Sequence, residues 1–154
     1  MSAQPTLTRL FTMLAFAGFA VYAATLYQLQ QDGARVSTLF NTIAAVMAAV
    51  SGWKVAGPRI DASLFGSVFA VVQGLLVACL LGLAAGATEE TFRLGYKTRY
   101  SDLGEALQGF FGYIAEGGQR LTRPDMLIPL GVFCLLAGVG LSLLFRVLEA
   151  RRTA

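Results

Sequence analysis

The chain has 154 residues, of which 56% are hydrophobic and 14% charged, with a mean hydropathy of +0.64. A soluble domain usually carries about 25% charged residues, so the composition is that of an integral membrane protein. The formal charge of +3 is spread through the polar connections rather than gathered in one patch, which argues against a nucleic-acid partner. Histidine is absent, and Cys79 and Cys134 both lie midway along apolar runs. The commonest metal ligand, the commonest base near neutral pH and a water-facing redox thiol are therefore all missing. No catalytic residue, metal or cofactor is expected.

The first apolar run covers residues 10–29, after a tail with one basic residue, Arg9. Val21, Ala23 and Ala24 imitate a signal-cleavage site, but the run is longer than a secretory core and its flank is barely positive, so it reads as a transmembrane helix. Tyr22, Tyr27 and Gln28 suit the interfacial belt at its far end. The short connection around Asp32-Gly33 makes the next helix, residues 36–56, an antiparallel neighbour. That helix carries a row of small residues, Ala44, Ala48, Gly52 and Ala56, as a natural partner for the third helix. Asn41 is polar within it, and either hydrogen-bonds across to a neighbour or lines a polar site. Trp53, Lys54 and Arg59 anchor its end at headgroup level, Gly57-Pro58 terminates it, and Asp61 or Ser63 caps the next helix.

Residues 64–87 hold no charge and are about 36 Å long as a helix, enough to cross a hydrocarbon core of about 30 Å with some tilt. Small residues recur at every fourth position: Gly66, Ala70, Gly74, Ala78, Gly82 and Gly86. Such a row lets another backbone approach closely. It drifts by about 40° per step, so its two halves are expected to face different helices. Leucine at Gly74 or Gly82 should then force neighbours apart, while Leu76→Ala should do less.

The connection from 88 to 123 is the one long polar stretch. Glu89 and Arg93 have helical pair spacing, and Phe92, Tyr96 and Tyr100 form an aromatic stripe that extends the third helix towards residue 99. Asp102 and Glu105 have capping-box spacing. Leu103, Ala106, Leu107, Phe110, Phe111 and Ile114 then mark one apolar face of a helix over about 102–117, ended by Gly117-Gly118. It is too short to span, so it lies on the membrane or on the end of the bundle, with Arg99 and Glu105 close enough to pair. The last span, residues 126–148, opens at Pro124 and places Pro129 in its first turn. Arg146 can snorkel out beside Glu149, Arg151 and Arg152.

The fold class predicted is an all-α membrane protein: four transmembrane helices in an antiparallel bundle with one amphipathic helix between the third and fourth, forming one domain over residues 1–154. The lipid bilayer is its first partner, with a second copy or another membrane protein as a further one. Basic residues divide evenly between the two sides. Those of the terminal side (Arg9, Lys54, Arg59, Arg146, Arg151 and Arg152) lie closer to the spans, which places both termini in the cytoplasm.

The pattern Asn41 followed by Gly52-Trp53-x-x-x-Gly57-x-Arg59, a glycine-studded helix, then Arg99-Tyr100 with Glu105-Ala106-Leu107, resembles the TrgA family of bacterial tellurium-resistance membrane proteins. Ser101 stands where that pattern would carry an acid, and the first and last helices match only in hydrophobicity. The resemblance implies an inner-membrane protein connected with tellurite tolerance and supplies no catalytic residues. Tellurite is a dianion that Arg59, Arg93, Lys97 and Arg99 could attract, although interfacial anchorage accounts for them equally. The alternative is an oligomeric small transporter or a passive channel lined by Asn41, Gln73 and Ser67. The spans hold no carboxylate for proton coupling.

Overall fold

In hydrocarbon a backbone must satisfy its own polar groups, and helices do this within one segment. The computed structural model describes residues 6–30, 36–96 and 102–153. Among these it contains helices and no strand: α1 (Thr6–Leu29), α2 (Thr38–Ser51), α3 (Leu64–Tyr96), α4 (Leu103–Leu121) and α5 (Pro124–Thr153). Four stretches are long and apolar enough to cross a membrane: Leu7–Leu29, Thr38–Arg59, Leu64–Tyr96 and Pro124–Arg151. They mark a multi-pass membrane protein.

The second span departs from a plain helix over 36–56. Regular α-geometry stops at Ser51 and gives way to a widened π-helical turn, Gly52–Ala56, and a tight 3-10 turn, Gly57–Arg59. Pro58 lacks an N–H and its ring would strike the carbonyl four residues back in an α-helix, so the chain changes pitch before it. Glycine also lets this turn touch α1. A Cβ on Gly52 would lie 3.0 Å from Phe16 Cβ, and one on Gly57 would lie 3.2 Å from Arg9 Cγ. Gly52 thus faces α1, whereas Ala56 of the same small row faces Gly74 of α3.

Helix α3 has 33 residues and runs through the polar Thr88 to Tyr96, a length of about 50 Å. Residues 97–101, which include Lys97, Arg99, Tyr100 and the expected helix extension towards 99, lie outside the described residues. Ser63 begins α3 by accepting a hydrogen bond from the Gly66 N–H at 3.2 Å, and Asp61 Oδ1 in turn accepts from the Ser63 N–H at 2.8 Å. Asp102 caps α4 by accepting from the Glu105 N–H at 2.8 Å.

Helix α4 continues through Gly117-Gly118, where the sequence suggested an end, to Leu121. The reason is packing. A Cβ on Gly117 would lie 2.5 Å from Leu83 Cδ2 and 3.2 Å from the Tyr27 hydroxyl, so this glycine serves close approach rather than a cap. Helix α5 starts at Pro124, which moves Pro129 from the first turn into the helix interior.

The core lies where α1, α2, α3 and α5 meet around Phe16, which is 1% exposed. Its ring meets Phe133 edge-on at 5.5 Å, and Phe19 stacks on Phe133 at 4.0 Å. Helices α3 and α5 touch through Gly138, where a Cβ would lie 2.6 Å from Val68 Cα. Fully buried polar residues, including Thr12, Ser51, Ser67 and Ser142, sit inside, while Phe65, Leu80, Ile128 and Leu136 project outwards. Phe65 is 84% and Leu136 70% exposed, an arrangement suited to lipid rather than water.

Candidate functional site

Asn41 sits in the first turn of α2 and is tied to α1. Its Nδ2 donates to Thr25 Oγ1 at 3.1 Å, and its Oδ1 accepts from Gln28 Nε2 at 2.6 Å. Gln28 Nε2 also donates to the Ala24 carbonyl at 3.1 Å, and Gln28 Oε1 accepts from the Ser37 N–H at 2.6 Å. The Gln28 amide is therefore fully used within the protein, and the network fastens the start of α2 to the end of α1. The sequence placed Gln28 in the interfacial belt and left out its pairing with Asn41. Folding the two runs back about the short connection would have put them opposite one another.

At the other end of α2, Trp53 is half-buried and Arg59 exposed, its Nη1 resting 3.4 Å from the Val55 carbonyl. The loop that follows is held from two helices. The Asp61 carbonyl accepts from Ser67 Oγ at 3.0 Å and from Ser142 Oγ at 3.1 Å. The Ala62 carbonyl accepts from Arg146 Nε at 2.9 Å and from Nη2 at 2.6 Å. Arg146 thus turns back onto the loop between α2 and α3 instead of standing free beside the tail. Sequence reasoning missed this latch, because nothing in a serine and an arginine on α5 names a loop 81 and 84 positions earlier as their partner.

In the long connection Arg93 pairs with Glu90 at 2.6 Å rather than with Glu89. The pair is exposed and contributes at most about 1 kcal/mol. Glu105 is exposed in the first turn of α4; Arg99, its expected partner, and Tyr100 lie outside the described residues. Of the candidate anion-attracting residues, the two that are described, Arg59 and Arg93, do not converge. Arg59 precedes α3 and Arg93 lies near its far end, about 44 Å away along the helix, so no single anion can touch both. Asn41 and Ser67 are similarly separated. Phe40 packs near Gly86, which puts Asn41 about 27 Å along α3 from Ser67.

The small-residue row of α3 meets several kinds of neighbour. A Cβ on Gly66 would lie 3.1 Å from the Asp61 carboxylate oxygens. Ala70 and Ala78 are buried in the core. Gly74 faces Ala56 and Phe16, with its carbonyl accepting from Ser51 Oγ at 2.6 Å. Gly86 faces the Tyr113 hydroxyl of α4 and the Phe40 ring of α2. A Cβ on Gly82 would meet no neighbouring helix within 4 Å, because the glycine borders a cavity of about 90 Å³ to which all five helices contribute. Tyr27 of α1 and Tyr113 of α4 are the hydroxyl-bearing residues of that lining. Burial, reinforced by Tyr27 beside it, pushes the Tyr113 phenol up to about 12.

No protein-family model matches the chain, and neither a curated protein nor a solved structure does.

Proposed function

We propose that the chain is a non-enzymatic protein of the bacterial inner membrane that contributes to tellurite tolerance, as its TrgA-like sequence pattern implies. Its four spans form an antiparallel bundle with both termini in the cytoplasm. Helix α4 lies at the opposite surface, with Leu103, Leu107 and Phe111 turned to lipid. The observation that carries the scaffold reading is the inverted distribution of side chains. Hydroxyl residues such as Thr12, Ser51, Ser67 and Ser142 are buried, and large apolar residues such as Phe65 and Leu136 are exposed on the four long helices. The apolar side chains left exposed on α4, Leu103 at 79% and Phe111 at 64%, extend that surface past the third span. The absence of histidine and of a loop cysteine supports a role without covalent or acid–base chemistry.

Deleting the gene and growing the cells on graded tellurite, with tellurite uptake measured in the same cells, tests the reading. Raised sensitivity at unchanged accumulation is expected for a supporting role through a partner. Raised sensitivity with raised accumulation favours the alternative, an oligomeric transporter. Within one chain, Asn41 is committed to Gln28 and Thr25, and Ser67 to the Asp61 carbonyl, so a pore would have to form between copies. Unchanged growth would remove tellurite tolerance as the function.

A further inference from the structure

A shallow groove of about 420 Å³ runs between α1 and α2, away from the other helices. Ala17 and Val21 of α1, with Ala45 and Ala49 of α2, keep most of its length apolar. Its polar lining residues, Thr38, Asn41 and Thr42, all lie at one end. Thr38 opens the second span, and Thr38 to Ala49 is about 17 Å of helix. One leaflet is half of a hydrocarbon core of about 30 Å, so the groove begins at the membrane surface and ends near mid-membrane. Two of the polar residues are used inside the protein. Asn41 is tied to Thr25 and Gln28, and Thr42 Oγ1 donates to the Thr38 carbonyl at 2.8 Å. Asn41 is thus a fixed wall, and Thr38 stands exposed at the mouth. The opposite side of the α1–α2 pair meets α3, where Phe16 lies against Gly74.

We infer that this groove holds one phospholipid, with an acyl chain lying from the mouth to Ala49 and an ester oxygen accepting from the Thr38 hydroxyl. A polar mouth at the surface and an apolar length of one leaflet repeat the lipid's own division into head and chain. The groove is continuous with the membrane-facing surface, where Leu14, Leu39 and Val50 are about half exposed. A helix of a second copy laid between two spans would follow their cleft through both leaflets. This groove stops halfway, where Leu14 and Val50 carry larger side chains on the same two faces. Hydrocarbon gains little by passing from bilayer to an apolar groove, so the lipid is retained by packing against the small side chains and by the contact at Thr38. The inference requires the first two spans and stands whether or not the chain supports tellurite tolerance.

The test is native mass spectrometry of the purified full chain, released from detergent micelles doped with dipalmitoyl phosphatidylethanolamine. The wild-type monomer should retain a single lipid after the rest of the micelle is stripped. Ala49→Phe, which fills the deep end of the groove, should lose it, with Ala45→Leu as the second filling variant should Ala49→Phe fail to fold by circular dichroism. Thr38→Val should weaken the lipid about five-fold, the equivalent of one hydrogen bond. Leu136→Ala, on the exposed face of α5, should retain the lipid as the wild type does. A wild-type monomer without lipid would overturn the inference, as would equal retention in a folded groove-filled variant. A lipid-free dimer that Ala49→Phe dissociates would also overturn it, by replacing the lipid with a helix of a second copy.

Discussion

Gly74 and Gly82 occupy the same row of the same helix, and the structure gives them opposite roles. At Gly74 an added Cβ would lie 2.8 Å from Ala56 Cβ and 3.0 Å from Phe16 Cζ. Neither neighbour can yield: Ala56 has no side-chain freedom and is fully buried, and Phe16 is pressed against Gly52. Overpacking of this kind costs about 1–3 kcal/mol. At Gly82 an added Cβ enters open space, leaving only the gain in helix propensity, about 1 kcal/mol. That gain is common to both sites and cancels in a comparison. Gly74→Ala should therefore be less stable than Gly82→Ala by about 1–3 kcal/mol, with Gly82→Ala at or above the wild type. Denaturant unfolding of the two variants in one detergent, followed by circular dichroism, measures this difference. Equal stability of the two would refute the packing argument. The same geometry reverses the expectation that leucine at Gly82 disrupts the protein as leucine at Gly74 does, since at Gly82 the larger side chain has a cavity to enter.

Ser142→Ala and Arg146→Ala each remove donors from the loop carbonyls of Asp61 and Ala62, and each should cost about 1 kcal/mol in the same unfolding assay. Proteolysis of the loop at residues 60–63 should quicken in both, whereas Arg151→Ala should leave it unchanged. Tyr113 should ionise late. Its folded value is raised from 10.0 to about 12, so its contribution to stability is present below about pH 10 and is lost as pH rises through 12. In a phenolate absorbance titration, Tyr113→Phe should remove one late-titrating group, and loss of a group near pH 10 instead would contradict the burial of that hydroxyl.

Helix positions were legible because the physics that sets them is local. Long uncharged runs made the four spans visible. The i, i+3, i+4 recurrence from Leu103 to Ile114, with Asp102 before it, made α4 visible. Features that depend on which faces meet were not. Gly117-Gly118 reads as a stop until Leu83 is seen lying against it, and Gly52 reads as part of a row facing α3 until Phe16 occupies that side. The cavity beside Gly82 arises from the mismatch of facing surfaces, which no single segment records. The candidate site was legible only as residue types. Asn41 was recognised as a cross-helix polar residue, but its partner Gln28 was not. Arg59 and Arg93, grouped by charge, stand at opposite ends of α3.

The sidedness of Gly118 and Ala154 tests the four-span arrangement most directly. Alkaline phosphatase fused at Gly118 and a fluorescent protein fused at Ala154 report, respectively, an outer and an inner position. Four spans with cytoplasmic termini predict an active phosphatase at Gly118 and fluorescence at Ala154. The same sidedness at both positions would remove α5 as a span and contradict the account.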